Sequence, residues 1–317
     1  QALFDVAKRI AKSVSLIPLH WSKSERGYQL AHMELHMPLR SRPVQLANGM
    51  SFTQVAHTTL GEMWLQFTAN LNHLRACDDP EVLHQARIGW RRFKSALQLF
   101  RKHPDMVAAP ALAPLQPLVH AMARLRDLDV AAAETLPMLA NAYTGGDASY
   151  KARWKGLEKS LADAVGRQRS IVLAILERPD VGRSLVEVTQ WLEIQLPAGT
   201  SGHAATRAGQ VADWVLRRLT RLHAKLKGQP VHAHDPQVQH HIRILAKRLR
   251  YGVEALRPLL SKRKSKRWLQ EATRLQGNIG SARDIANAVD IVQQLNVDAG
   301  IVEFLRGVAF GERMHAR

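Results

Sequence analysis

The chain has 317 residues, 46% of them hydrophobic, enough to bury the core of one large domain or two ordinary ones, which excludes a disordered tail. Its 45 Lys and Arg against 27 Asp and Glu leave a formal charge of +18, pointing to a polyanionic partner such as nucleic acid, an anionic membrane surface or polyphosphate. The single cysteine, Cys77, excludes an intramolecular disulfide, and no apolar run approaches the roughly 18 residues that span a bilayer.

Lys8, Arg9 and Lys12 interrupt anything like a signal-peptide core. The reading is therefore a cytoplasmic protein with no membrane partner. A first residue of Gln rather than Met reads as a fragment of a longer chain.

Taken in order, Leu3, Val6, Ala7, Ile10, Val14 and Ile17 have helical spacing and predict an amphipathic helix closed by Pro18. From 20 to 49 the pattern breaks at Gly27, Pro38, Pro43 and Asn48-Gly49, predicting an arm or a short strand pair. There His32, Glu34 and His36 alternate with Met33, Leu35 and Met37 as on a strand, and no metal site is assigned. A long helix is expected over 51–76, buried through Thr53, Ala56, Leu60, Trp64, Phe67 and Leu71. A basic helix follows, ending near His103-Pro104. The stretch 109–141 reads as helix broken around 124–129, with a loop at Gly145-Gly146. A helix over 149–177 carries Trp154, Leu157, Leu161, Val165, Ile171 and Ile175. A short helix runs from Pro179 through Trp191, and 197–202 reads as a linker. Helices over 203–227, from Asp235, from Lys262 to Gly280, over 283–295 and over 301–310 complete the chain.

The two basic helices are copies of one another. Asp79-Pro80-Glu81-Val82-Leu83-His84-Gln85-Ala86-Arg87-Ile88-Gly89-Trp90-Arg91-Arg92-Phe93-Lys94 returns as Asp235-Pro236-Gln237-Val238-Gln239-His240-His241-Ile242-Arg243-Ile244-Leu245-Ala246-Lys247-Arg248-Leu249-Arg250 in one fixed register. The chain thus contains an internal duplication. Each copy opens with a capping aspartate and a proline at the first helical position, where its missing N–H is one the helix leaves unpaired anyway. At 100° per residue, His84, Arg87, Arg91 and Lys94 share about a quarter of the helix surface, with Arg92 to one side. Val82, Ala86, Phe93, Ala96 and Phe100 lie opposite, toward the core. In the second copy His240, Arg243, Lys247 and Arg250 form the stripe, and Ile242, Leu245, Leu249, Val253 and Leu256 the apolar edge. Like-charged neighbours on a helix cost about 0.2 to 0.5 kcal/mol a pair. Repeating that penalty with almost no acids nearby implies an anion that relieves it. The matching helix order predicts an all-α fold of two pseudo-symmetric antiparallel four-helix bundles, with residues 1–50 as helix and arm, 51–200 as the first half and 201–317 as the second. The two ladders, related by the twofold, would line one groove.

The His84 and His240 segments, each followed by an Arg-Asp segment (Arg126-Asp127 and Arg283-Asp284), resemble the two halves of the conserved histidine α-helical domain family, CHAD. The resemblance covers about residue 51 to the end. It implies a noncatalytic helical module that binds inorganic polyphosphate and brings proteins to polyphosphate granules, with no cofactor. By position His84, Arg87, Arg91, Arg92 and Lys94 take the binding roles in the first half, and His240, Arg243, Lys247, Arg248, Arg250 and Tyr251 in the second; Arg126 and Arg283 join them from the Arg-Asp segments. Ala123 stands where the family has glycine, and Arg283 where it has asparagine. Trp21 to Tyr28 resembles the junction that follows a CYTH triphosphatase domain, but residues 1–50 hold no Glu-x-Glu-x-Lys strand, so no catalysis is carried over. An upstream CYTH domain stays open.

RNA or DNA, bound through its phosphate backbone, is the competing ligand. Single-strand binders interleave aromatic platforms with charge, and on these faces only Tyr251 offers a ring. A phosphohydrolase is the other alternative. Metal-assisted cleavage needs clustered carboxylates, whereas Asp127, Asp129 and Asp284 sit beside arginines expected to pair with them, and Asp235, after His232 and His234, is explained as a cap. Arg217, Arg221 and Lys225, and the run from Lys262 to Arg267, read as solvated faces.

Overall fold

The computed structural model describes residues 1–32, 37–47, 49–198, 208–230, 235–277 and 280–315, and these are helices and connections with no strand among the described residues. The fold is all-α, as the sequence pattern predicts. The elements are α1 (Ala2–Ile10), α2 (Lys23–Ala31), α3 (Phe52–Leu74), α4 (Pro80–Phe100), α5 (Gln116–Val130), α6 (Leu136–Thr144), α7 (Ala148–Leu176) and α8 (Pro179–Gln190). They continue through the single turn α9 (Leu196–Ala198) to α10 (Ala208–Lys227), α11 (Pro236–Ala255), α12 (Lys262–Gly277), α13 (Gly280–Gln294) and α14 (Ala299–His315). Residues 199–202 of the expected linker lie outside the described residues.

Local chemistry sets the helix starts. Ser51 accepts from the Gln54 amide while the Gln54 side chain accepts from Ser51 N–H at 2.8 Å, a reciprocal cap for α3. The duplicated aspartates behave alike: Asp79 Oδ1 accepts from Glu81 N at 2.8 Å and Asp235 Oδ1 from Gln237 N at 2.8 Å, each followed by proline.

Four expectations are corrected. The first helix stops at Ile10, well short of Pro18, and Ser15 beyond it donates its hydroxyl to the Leu176 carbonyl at 2.7 Å; Leu3, Val6 and Ile10 stay exposed. In place of the arm or strand pair, Lys23–Ala31 is a helix whose Ser22 and Glu25 cap each other; Glu34 and His36 lie outside the described residues. The helix through Arg124–Asp129 is unbroken, and the irregularity comes one turn later as a π-helical turn, Ala131–Thr135. On α7 the buried edge is Trp154, Leu157, Leu161, Val172 and Leu176, so Ile171 faces solvent. Residue 172 continues the 3.6-residue period set by 154 to 165, and 171 falls beside it.

The chain packs as two compact units, Gln1–Gln116 with Leu176–Gln276, and Pro117–Ile175 with Gly277–Arg317. Each takes helices from both halves of the duplicated sequence. In the first unit α3 pairs with α4, α10 with α11, and α4 meets α11. Val82, Ala86, Phe93, Ala96 and Phe100 of α4, and Ile242, Leu245, Leu249 and Val253 of α11 with Leu256 at its C-terminal cap, are buried, as both apolar edges predict. Trp64, Phe67, Trp90 and Phe93 interlock at the α3–α4 seam, with centroids of Trp64 and Phe93 4.9 Å apart. The second unit closes around Leu128, Leu136, Trp154, Leu157, Ala288, Val292, Ile301 and Leu305.

Candidate functional site

Both cationic stripes lie in the first unit, on helices that touch. On α4, His84, Arg87 and Arg91 are half-buried and Lys94 is exposed; on α11, Arg243, Lys247 and Arg250 are half-buried and Arg248 is exposed. The Arg91 Nε is buried and makes no hydrogen bond among the described residues. The side chains of His240 and Arg283 lie outside those described.

Arg92 turns inward. It donates to Gln66 Oε1 at 2.9 Å, Gln66 donates to Gln85 Oε1 at 2.9 Å, and Gln85 donates to Glu81 Oε1 at 2.8 Å, a polar chain that crosses from α3 to α4. Burial pulls the Arg92 guanidinium below its ordinary pKa, opposed by the charges of Glu254, Tyr251 and Glu62. Burial likewise pushes the Glu254 carboxyl up, against the pull of Arg250 and Arg92. Arg250 lies 3.5 Å from Glu254 and 5.0 Å above the Tyr251 ring. Tyr251 is buried, so its ring is packed rather than offered as a platform.

Arg126 belongs to the second unit, where it pairs with Glu134 at 2.8 Å rather than with its neighbour Asp127. Asp129 in the same unit is buried, and its Oδ2 has no hydrogen-bond partner among the described residues. Burial raises its pKa despite Arg126 and Arg169. A carboxyl raised in the folded state favours folding at low pH and loses that contribution as pH rises through its folded value. Asp129→Asn is therefore expected to remove up to one proton's worth of slope from the stability profile above the ordinary carboxylate range. Urea denaturation across pH 4 to 7 reads this as a difference in stability, variant minus wild type, that grows in the variant's favour as pH rises.

Two cavities flank the α4–α11 contact in the first unit. One, of about 590 Å³, is lined by Arg92, Glu254, Arg257, Lys262 and the segment Ser41 to Gln45. The other, of about 230 Å³, is lined by Gln98 of α4 and Arg101 at its C-terminal cap, Arg218, Arg221 and Lys225 of α10, and Arg248 of α11. Sequence reasoning missed this second gathering. Its signal was the basic spacing 218, 221, 225 on α10, which in isolation is indistinguishable from a solvated face.

A family model described as CHAD domain matches residues 59–293. No curated protein matches the chain. The fold is similar to the crystal structure of the CHAD domain from the plant Ricinus communis, with a TM-score of 0.74 and 24% sequence identity, covering 88% of this chain and 92% of that one. No helix among the described residues is long and apolar enough to cross a membrane.

Proposed function

Since the chain belongs to the CHAD domain family, we propose that it binds long inorganic polyphosphate, without cleaving it, through the duplicated cationic faces of α4 and α11, and that this binding directs it to polyphosphate granules in the cytoplasm. The observation that carries the reading is the pair of ladders on two touching helices, Arg87, Arg91 and Lys94 on one and Arg243, Lys247 and Arg250 on the other. A polyphosphate chain is a flexible line of closely spaced charges with no base to stack. Neighbouring cations on a helix face stand about 5 to 6 Å apart, a spacing suited to such a chain. Arginine grips two phosphate oxygens at once, while lysine acts as a mobile point charge.

The burial of Tyr251 favours a base-free ligand, because single-strand nucleic-acid sites rely on stacking rings. Duplex nucleic acid held through its phosphates alone is the second reading, as it needs no ring. Calorimetric titration at physiological salt separates them, with long-chain polyphosphate, RNA and duplex DNA compared at equal phosphate concentration. Polyphosphate is expected to bind at least about tenfold tighter than either nucleic acid, since nonspecific ion pairing weakens steeply with salt. It should also remain intact with Mg²⁺ present. Equal or tighter binding of nucleic acid would transfer the faces to the second reading, and cleavage would make the protein a phosphohydrolase.

A further inference from the structure

The duplication makes the two cavities beside the α4–α11 contact equivalent by register: Arg248 stands where Arg92 does, Arg101 where Arg257 does, and Gln98 where Glu254 does. They differ in the balance of charge that governs anion binding. The Arg92 cavity contains its own carboxylate, Glu254, which draws on Arg250 and Arg92, and Arg92 itself is tied to Gln66. The Arg248 cavity has neutral Gln98 in that place, and α10 adds Arg218, Arg221 and Lys225.

The result is five cations facing one cavity of about 230 Å³, with no carboxylate lining it among the described residues. Single exposed arginines need no partner. Five facing one hollow repel one another at close range, and the acid that relieves this repulsion in the sister cavity is missing here. Their donors arrive from three helices and so converge on a point rather than along a line. That geometry suits a compact anion with several oxygens to share. Guanidinium groups from different sides can each take two oxygens of adjacent phosphoryl groups. The α4 wall, Gln98 and Arg101, continues the angular position of Arg87, Arg91 and Lys94 beyond the C-terminal end of that ladder.

We infer that the cavity bounded by Arg101, Arg218, Arg221, Lys225 and Arg248 is a discrete site for a short oligophosphate, distinct from the linear ladders, and that Glu254 keeps the sister cavity around Arg92 from taking the same ligand. The inference extends the polyphosphate reading from the length of a chain to a compact phosphoryl segment, and rests on that reading only for the view that such a segment belongs to a longer polymer.

The test transplants the sister cavity's carboxylate. Tripolyphosphate is titrated calorimetrically at physiological salt into the full chain and into Gln98→Glu, whose folding is checked by thermal melt; Arg221→Glu, at an exposed position, serves as a second variant. One tripolyphosphate per chain is expected for the wild type, with affinity falling about tenfold or more in each variant, the effect of losing one charge-assisted hydrogen bond. Undetectable wild-type binding, or unchanged affinity in both folded variants, would overturn the inference. Long-chain polyphosphate is titrated in parallel. If the wild type takes tripolyphosphate and the variants lose it while the long polymer fails to bind, the cavity stands and the polymer reading falls; the reverse pattern removes the cavity and leaves the ladders.

Discussion

Reversing Arg87, Arg91, Arg243 and Lys247 to Glu is expected to abolish binding of long-chain polyphosphate, a loss of more than about a hundredfold, while the far-UV helical signal is retained. Each charge-assisted hydrogen bond contributes roughly 1.5 to 3 kcal/mol. Neighbouring contacts on one polymer do not add simply, but even two lost in full exceed a hundredfold. Reversal also replaces attraction with repulsion on two touching helices, so no intact ladder remains. The helices should survive because their apolar edges, from Val82 to Phe100 and from Ile242 to Leu256, are untouched and buried. The four side chains are half-buried, so the neutral quadruple Gln variant provides a milder control that still loses most of the affinity. Exposed Lys94→Glu alone should cost only a few-fold. Salt titration adds an independent reading: the slope of affinity against salt should shrink as ladder charges are removed. Retained affinity in the reversed variant would move the polymer off these faces.

What the sequence disclosed about this fold was what local chemistry determines. Asp79-Pro80 and Asp235-Pro236 start helices wherever they occur, and the apolar edges opposite the cationic stripes could face only a core. Where local signals competed, the reading failed. Ser22 and Glu25 carry the spacing of a capping box, but Gly27 two residues on signals a turn. The π-helical turn at Ala131–Thr135 adds a residue to one turn through tertiary packing, for which Ala-Ala-Ala-Glu-Thr gives no local signature. The candidate site divides in the same way. Angular position alone brought Arg87, Arg91 and Lys94 together and set Arg92 aside, and the structure buries Arg92 against Gln66. Which helix would face Arg248 depended on the approach of α10 and α4. Leu219, Leu99 and Gly252 meet there, and an added Cβ at Gly252 would lie 2.9 Å from Leu219 Cδ2. That three-helix junction places Arg218 and Arg221 beside Arg101, a relation no single-helix pattern contains.

Gly89→Ala is expected to destabilise the first unit although it adds only one methyl group. A Cβ at this position would stand 2.7 Å from the backbone nitrogen of Phe67 and 3.0 Å from its Cα. Neither atom belongs to a movable side chain, so relief requires α3 and α4 to separate. Separation would loosen the interlocked Trp64, Phe67, Trp90 and Phe93 rings and strain the Arg92–Gln66–Gln85 hydrogen bonds that cross the same seam. Overpacking of this kind costs about 3 kcal/mol. Alanine's better helix propensity returns no more than about 1 kcal/mol, so the net effect is destabilising. For a unit of this size the loss corresponds to a Tm lowered by roughly 4 to 10 °C. Because Gly89 lies on the buried side and contributes no charge, polyphosphate affinity measured well below the new Tm should remain within about twofold of wild type. A variant that melts as the wild type would show that the α3–α4 seam yields without cost. One that keeps its Tm but loses the polymer would place Gly89 in the binding face itself.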